Sequence, residues 1–130
     1  MIELYLDRRS GTNPYLQIVE QVKRALLLGT LQVGDKLPTL KEVVGKLMVN
    51  PNTVLRAYRE LEYEGLIETK PGLGSFVSRS LAGPALRYHP KLRSALLDWL
   101  KEAREAGLDE DSILALFDSA RRESLVAETR

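Results

Sequence analysis

The segment 37–77 constrains the fold more than any other part of the chain, because helix start signals follow one another in it at helix-turn-helix spacing. Thr39 with Glu42 three residues later is the pattern of a capping box at a helix N-terminus. Asn50 followed by Pro51 predicts a second helix start, since asparagine caps the first turn and proline at its first position loses no hydrogen bond. A turn of only a few residues therefore separates two helices.

Both predicted helices carry apolar residues at the three- and four-residue spacing of an amphipathic helix. The residues expected to face the core are Leu40, Val43, Val44 and Leu47 in the first helix, and Val54, Ala57, Tyr58 and Leu61 in the second. The outward-facing residues of the second helix are then Asn52, Thr53, Arg56 and Arg59.

This outward face has the chemistry of a surface that contacts DNA. Arginine offers paired donors to guanine and phosphate, asparagine can pair with an adenine edge, and threonine offers a hydroxyl or a methyl group. Unprotected N–H groups at the helix start are also expected to favour a phosphate. The alternative is that these side chains serve solubility and capping, which weighs most for Arg59 because it could pair with Glu62 along the helix.

A β-hairpin is predicted beyond the second helix, which is expected to end at Gly65. Two short strand-like runs, 66–69 and 75–78, flank the glycine-rich segment 70–74. Such a hairpin would place Lys70, with Gly72 at the tip, beside the backbone of bound DNA or in its minor groove. The segment as a whole predicts helix, turn, helix and β-wing, with Lys70 and Gly72 as DNA-binding residues.

Several short segments between residues 14 and 77 together form a pattern more specific than a general helix-turn-helix. They are Leu37-Pro38-Thr39, Val49-Asn50-Pro51-Asn52-Thr53-Val54, Arg56-Ala57-Tyr58, Leu61-Glu62, Glu64-Gly65-Leu66-Ile67, Gly72-Leu73-Gly74 and Phe76-Val77. In these segments the chain resembles the GntR superfamily of bacterial transcription regulators. The form Asn-Pro-Asn-Thr-Val, with a short C-terminal part, is similar to the YtrA-like branch.

The resemblance implies a winged helix-turn-helix that binds operator DNA as a dimer, usually as a repressor. The positions that it implies lie near DNA are Lys41, Asn52, Thr53, Arg56 and Lys70. Many relatives carry arginine at the position of Lys41, and lysine keeps the attraction to phosphate but loses the planar fork. Most relatives outside the branch also have arginine where Pro51 stands, which implies a different operator sequence.

The N-terminal segment supplies the remaining parts of the first domain. Apolar residues alternate with polar ones from position 2 to 7 like a half-buried strand, and Asn13-Pro14 begins a helix that ends at Gly29. Its expected apolar face is Tyr15, Ile18, Val19, Val22, Leu26 and Leu27. The predicted fold class is mainly α with a small β-wing (α+β), with the winged helix-turn-helix DNA-binding domain at 1–79.

Two amphipathic helices are predicted after a linker at 80–90, in a two-helix dimerisation segment at 91–130 with Asp109 as the second N-cap. Two such helices bury too little surface to be stable alone, so they need either the first domain or a second chain as partner. The resemblance and the large Trp99 and Phe117 favour a homodimer. The residues predicted at its interface are Leu92, Leu96, Trp99, Leu100, Ile113, Leu116 and Phe117.

Composition excludes several other functions. No apolar run is long enough to span a membrane and no signal peptide is visible, so we expect a cytoplasmic protein. His89, the only histidine of a chain without cysteine, cannot build a histidine-cluster metal site and is interpreted as an exposed linker residue. The acidic run 109–111 is interpreted as a favourable helix start rather than a calcium site. We predict no metal and no cofactor.

The net charge of +1 is low for a DNA-binding protein, and basic residues only slightly outnumber acidic ones between 36 and 79. A winged-helix module for protein contact is therefore the alternative function. An enzyme is not predicted, because no nucleophile–base pair, metal cluster or cofactor loop is visible. Two short helices are too small to enclose a metabolite pocket within one chain, which leaves the identity and site of any small-molecule effector open.

Overall fold

The structure is a computed structural model that describes residues 2–82 and 90–128. The chain divides into two compact units, Met1–Tyr88 and His89–Arg130. Most of the predicted linker, with His89, lies outside the described residues. The predicted domain bounds therefore stay predictions.

The first unit contains three helices followed by a hairpin: α1 (Pro14–Leu28), α2 (Leu40–Leu47), α3 (Pro51–Tyr63), β1 (Ile67–Lys70) and β2 (Gly74–Val77). The two strands are antiparallel, and each is displaced by one residue from its predicted position. Helix α3 packs against α1, α2 and β1, so it is the central element of the unit. The predicted class, mainly α with a small β-wing, is confirmed.

The helix starts follow from local side-chain chemistry. Both halves of the capping box between Thr39 and Glu42 are present at the start of α2. Asn13 and Asn50 accept backbone N–H groups at the starts of α1 and α3, each directly before a proline. Helix α1 ends at Gly29, whose φ of 77° lies in the left-handed region that glycine adopts without steric cost.

A single apolar core holds the first unit together. Its largest fully buried side chains are Ile18, Val22, Leu26, Leu37, Val54, Leu61, Leu66 and Ile67. The predicted apolar face of α1 was wrong at Leu27, which is 53% exposed. Consecutive residues of an α-helix are separated by about 100°, so burial of Leu26 directs its neighbour away from the core.

The N-terminal segment 2–7 is not the predicted strand. Leu4 is buried and its neighbours Glu3 and Tyr5 are exposed, so the alternation was correct, but no strand pairs with the segment among the described residues. Side chains of α1 replace a partner strand. Gln21 accepts the N–H of Tyr5 and donates to its carbonyl, and the buried Gln17 does the same for Asp7. We call this segment the N-terminal arm.

The second unit consists of α4 (Pro90–Glu105) and α5 (Glu110–Glu128). The predicted N-cap is confirmed, because Asp109 Oδ1 accepts the N–H of Ser112 at 2.8 Å. Among the described residues of this unit only Ala103 and Ile113 are buried. No helix within 2–82 and 90–128 is both long and apolar enough to cross a membrane.

Candidate nucleic-acid interface

The outward face of α3 is the centre of the candidate interface. Asn52, Arg56 and Arg59 are spaced by four and three residues, lie on one side of the helix and are exposed, whereas Thr53 is half-buried. The opposite side is buried in the core through Val54, Ala57, Tyr58 and Leu61. The core therefore fixes which face of α3 is presented to solvent.

The first turn of α3 does not offer the open N–H groups that the sequence suggested. Pro51 has no N–H, and the N–H of Asn52 donates to Asn50 Oδ1 at 2.8 Å. The N–H of Thr53 donates to the Asn50 carbonyl at 2.9 Å. The expectation of unprotected N–H groups at this helix start was therefore wrong, because asparagine and proline together satisfy or remove these donors. The polar groups that α3 exposes near its start therefore belong to side chains.

Arg56 makes a contact that the sequence did not indicate. Its guanidinium carbon lies 3.7 Å from the centroid of the Tyr15 ring. Tyr15 belongs to the predicted apolar face of α1, and it is indeed half-buried and packed against the core. The spacing of residues along a single helix carries no signal for a contact between α1 and α3.

The wing presents Lys70, which is exposed at the end of β1. Its ammonium lies 3.5 Å from a carboxylate oxygen of Glu68 and 5.2 Å from the centroid of the Phe76 ring. The Glu68 carboxylate offsets part of the positive charge that Lys70 would present to DNA. Gly72, at the tip, is exposed and has a φ of 77°.

A second lysine lies against the wing. A Cβ added at Gly74 would come within 2.9 Å of Lys36 Cε, so the lysine stem crosses the strand where glycine leaves room for it. Residue 36 also forms an isolated bridge with Phe76. The sequence pattern gave no sign of Lys36, since only the bridge to the hairpin brings it there.

The spacing between α2 and α3 is fixed by a buried hydrogen bond. The Tyr58 hydroxyl donates to the Pro38 carbonyl at 2.6 Å, just before the start of α2. Burial raises the pKa of Tyr58 above its ordinary range, and the nearby Glu42 carboxylate adds to the shift. Lys41 is exposed in the first turn of α2. The bond thus ties α3 to the helix that carries Lys41.

The acidic run 109–111 contributes to the start of a helix. No cluster of three potential metal ligands occurs in the described part of the chain. Asp109 is engaged as a helix cap, and its hydrogen bonds with Ser112 lower the pKa of its carboxyl. This is the role expected for the acidic run.

The second unit exposes much of its predicted interface. Leu92, Leu96, Leu116 and Phe117 are between 43% and 66% exposed, Trp99 and Leu100 are half-buried, and Ile113 is buried. Exposed Leu97, Leu114 and Leu125 enlarge the apolar surface of the two helices. A surface of this kind is typical of a protein–protein contact.

Comparisons with known proteins agree with this geometry. Residues 14–77 match the family described as bacterial regulatory proteins, gntR family. The chain is 46% identical over 77 residues to the HTH-type transcriptional repressor YtrA of Bacillus subtilis (strain 168), an alignment that covers 59% of each chain. It is 35% identical over 100 residues to the HTH-type transcriptional regulator YhcF of the same strain, covering 77% of this chain and 83% of YhcF.

A solved structure extends the likeness beyond the family segment. YtrA from Sulfolobus acidocaldarius, a GntR-family transcription factor, matches with a TM-score of 0.54 at 31% identity, covering 75% of this chain and 97% of that one. The alignment with Bacillus subtilis YtrA spans about three fifths of that repressor's length. The resemblance to the superfamily and to its YtrA-like branch is confirmed.

Proposed function

Because the chain belongs to the GntR family of bacterial regulatory proteins, we propose that it is a sequence-specific DNA-binding regulator of transcription. Helix α3 enters the major groove, and the wing lies on the backbone or in the minor groove. The observation that carries the proposal is the polar face of α3, where Asn52, Arg56 and Arg59 are exposed while the opposite face is fixed in the core.

Roles within the interface follow from side-chain chemistry. Arg56 is proposed to contact a base edge, because its planar fork suits guanine. Asn52 and Thr53 extend this contact along the start of α3. Lys41 and Lys70 are proposed to contact phosphates, which position the protein without reading sequence. The remaining proposed DNA-binding residues are Arg59, on the outward face of α3, and Gly72, at the tip of the wing.

The regulator is further proposed to act as a homodimeric repressor in the cytoplasm. The name of the relative YtrA supports repression, and the exposed apolar side chains of α4 and α5 support pairing with a second copy. A two-fold pair would present its recognition helices to half-sites about 34 Å apart, or a multiple of that distance, on a palindromic operator.

Selection of bound sequences from a random duplex pool tests the DNA-binding proposal. We expect a two-fold symmetric motif whose affinity falls as salt rises, since phosphate contacts release counterions. Failure to enrich any sequence would contradict the proposal and favour the winged helix as a protein-contact module, a role that the net charge of +1 permits.

The dimer needs a separate test. Leu116→Asp places a charge on the exposed apolar surface of α5, whereas Ser119→Asp places the same charge on an exposed polar position of that helix. Sedimentation should show a dimer for the parent chain and for the serine variant, and a weakened dimer for the leucine variant. A monomeric parent chain at micromolar concentration would refute the homodimer.

A further inference from the structure

The contact between Arg56 and Tyr15 joins an exposed residue of α3 to a helix outside the helix-turn-helix. The distance of 3.7 Å from the guanidinium carbon to the ring centroid lies well inside the range of about 6 Å in which a cation is attracted to an aromatic face. No salt bridge joins Arg56 to a carboxylate within 2–82 and 90–128, so the ring is its main partner there.

The tyrosine is held more firmly than the arginine that lies over it. Tyr15 stands in the first turn of α1, is half-buried and packs against the core. Its N–H donates to Asn13 Oδ1 at 3.4 Å. The backbone of Tyr15 is thus anchored at a helix start and its side chain packs against the core, whereas Arg56 carries a long side chain on a solvent-exposed helix face. The Tyr15 ring can therefore restrict the orientation of the Arg56 guanidinium.

A guanidinium that stacks parallel to a ring keeps its own edge open, and 3.7 Å from its carbon to the ring centroid is a separation at which such stacking occurs. The N–H donors of arginine lie in the plane of the group, so stacking occupies the faces and not the donors. An arginine whose plane is already oriented loses less side-chain entropy when it binds a base. Fixing the orientation of the guanidinium therefore strengthens its contact with a base more than it strengthens its non-directional attraction to the DNA backbone.

We propose that Tyr15 is a positioning residue for DNA recognition, which holds the guanidinium of Arg56 in the orientation that its base contact needs. The inference rests on the proposed function, since it takes Arg56 as a residue that contacts a base. Tyr15 contributes to sequence discrimination through Arg56 and need not touch DNA itself.

A double-mutant cycle on the full chain tests this role. Tyr15→Phe keeps the ring, and Tyr15→Leu keeps apolar bulk without it. Each is combined with parent Arg56 and with Arg56→Ala, and binding is measured by fluorescence anisotropy on the selected operator and on an unrelated duplex. Melting temperatures separate loss of binding from loss of fold.

The phenylalanine variant should bind like the parent chain, and the leucine variant should lose about two- to five-fold in operator affinity, as suits an exposed cation–π contact. Binding to the unrelated duplex should change little. In the Arg56→Ala background the leucine change should cost nothing more. Equal losses in both backgrounds would show that Tyr15 acts independently of Arg56, and tighter operator binding by the leucine variant would show that the ring holds Arg56 away from DNA.

Two further measurements keep the test decisive. In the free protein the Arg56 Nε–H resonance should carry a ring-current shift that the phenylalanine variant retains and the leucine variant loses. Should Tyr15→Leu unfold, Tyr15→Met replaces it, because methionine fills a half-buried position without offering a ring face. Operator binding equal to that of the parent chain would then overturn the inference. If the parent chain selects no operator at all, both the proposed function and this inference are refuted. If it selects an operator and the leucine variant binds that operator as tightly as the parent chain, only the role of Tyr15 is refuted.

Discussion

Replacing Met48 by glycine should stabilise the first unit. Met48 forms the C-cap of α2 in the turn before α3, with a φ of 56° and a ψ of 46°. This left-handed conformation brings a Cβ close to the following carbonyl oxygen, whereas glycine adopts it without that contact. The side chain is 78% exposed, so its removal costs little packing. The change therefore acts mainly on the backbone.

The magnitude follows from two opposing contributions. A non-glycine residue in this region costs about 1–2 kcal/mol in the folded state. Glycine loses about 0.5–1 kcal/mol more than other residues in backbone entropy on folding. The midpoints of the two ranges differ by about 0.75 kcal/mol in favour of Met48→Gly, between limits of about 0 and 1.5 kcal/mol. In a domain of this size about 0.75 kcal/mol in the free energy of unfolding raises the melting temperature by about 3–6 °C.

Urea and thermal unfolding followed by circular dichroism measure this difference. Met48→Ala is the matched control, because it removes the same exposed side chain and keeps the cost of a Cβ. We expect the alanine variant to match the parent chain and the glycine variant to exceed both. A glycine variant that is no more stable than the alanine variant would show that the left-handed conformation of Met48 is not a source of strain.

Three other changes have defined outcomes. Tyr58→Phe leaves the buried Pro38 carbonyl without its donor and should lower the free energy of unfolding, measured with denaturant, by about 1–3 kcal/mol. Because the folded-state pKa of Tyr58 is raised, the contribution of its hydroxyl to stability is complete below pH about 10 and is lost as the pH rises further. The parent chain should therefore lose more stability in alkali than the variant. Gly74→Ala adds a Cβ at a φ of 123° and should lower the melting temperature, whereas Gly11→Ala, in open space, should leave it unchanged. Lys70→Gln should weaken binding to all duplexes by a similar factor and reduce the salt slope by about 1, and an effect confined to one sequence would contradict its assignment to phosphate.

Features encoded within a few residues could be predicted from the sequence. The capping box of Thr39 and Glu42 spans one helical turn, and the Asn-Pro pairs at 13 and 50 act on the backbone directly after them. Their chemistry needs no tertiary structure, which is why the starts of three helices were correct. The buried face of α3 followed from its 3.6-residue period.

Features that depend on contacts between distant residues could not be predicted in the same way. The period-two pattern of the N-terminal arm showed which side chains are buried but not what bonds its backbone, and glutamines of α1 take the place of the expected strand. The contact of Tyr15 with Arg56 and the crossing of Gly74 by Lys36 join separate elements. The roles of the candidate DNA-binding residues stay predictions, because they concern a partner that the fold does not specify.

The occupied N-terminal hydrogen bonds of α3 could have been predicted. Asn50 and Pro51 together determine that the first N–H is absent and the second is bonded to a side chain, and both facts follow from adjacent residues. The predicted cap at Asn50 was correct, whereas the open donors expected beside it were not. The N–H groups of the first turn cannot both bond to a capping residue and stay open to a ligand.

The N-terminal arm is held on α1 as a protein holds a bound peptide. Leu4 inserts into the core at 3% exposure, and glutamine amides bond the backbone on the C-terminal side of it, at Tyr5 and Asp7. Since the arm is covalently attached, its effective concentration is in the millimolar range, and individually weak contacts keep it in place. Cleavage of the loop after Asp7 would make the same contacts bimolecular. A synthetic copy of the arm would then compete for the place in the core that Leu4 fills in the intact chain.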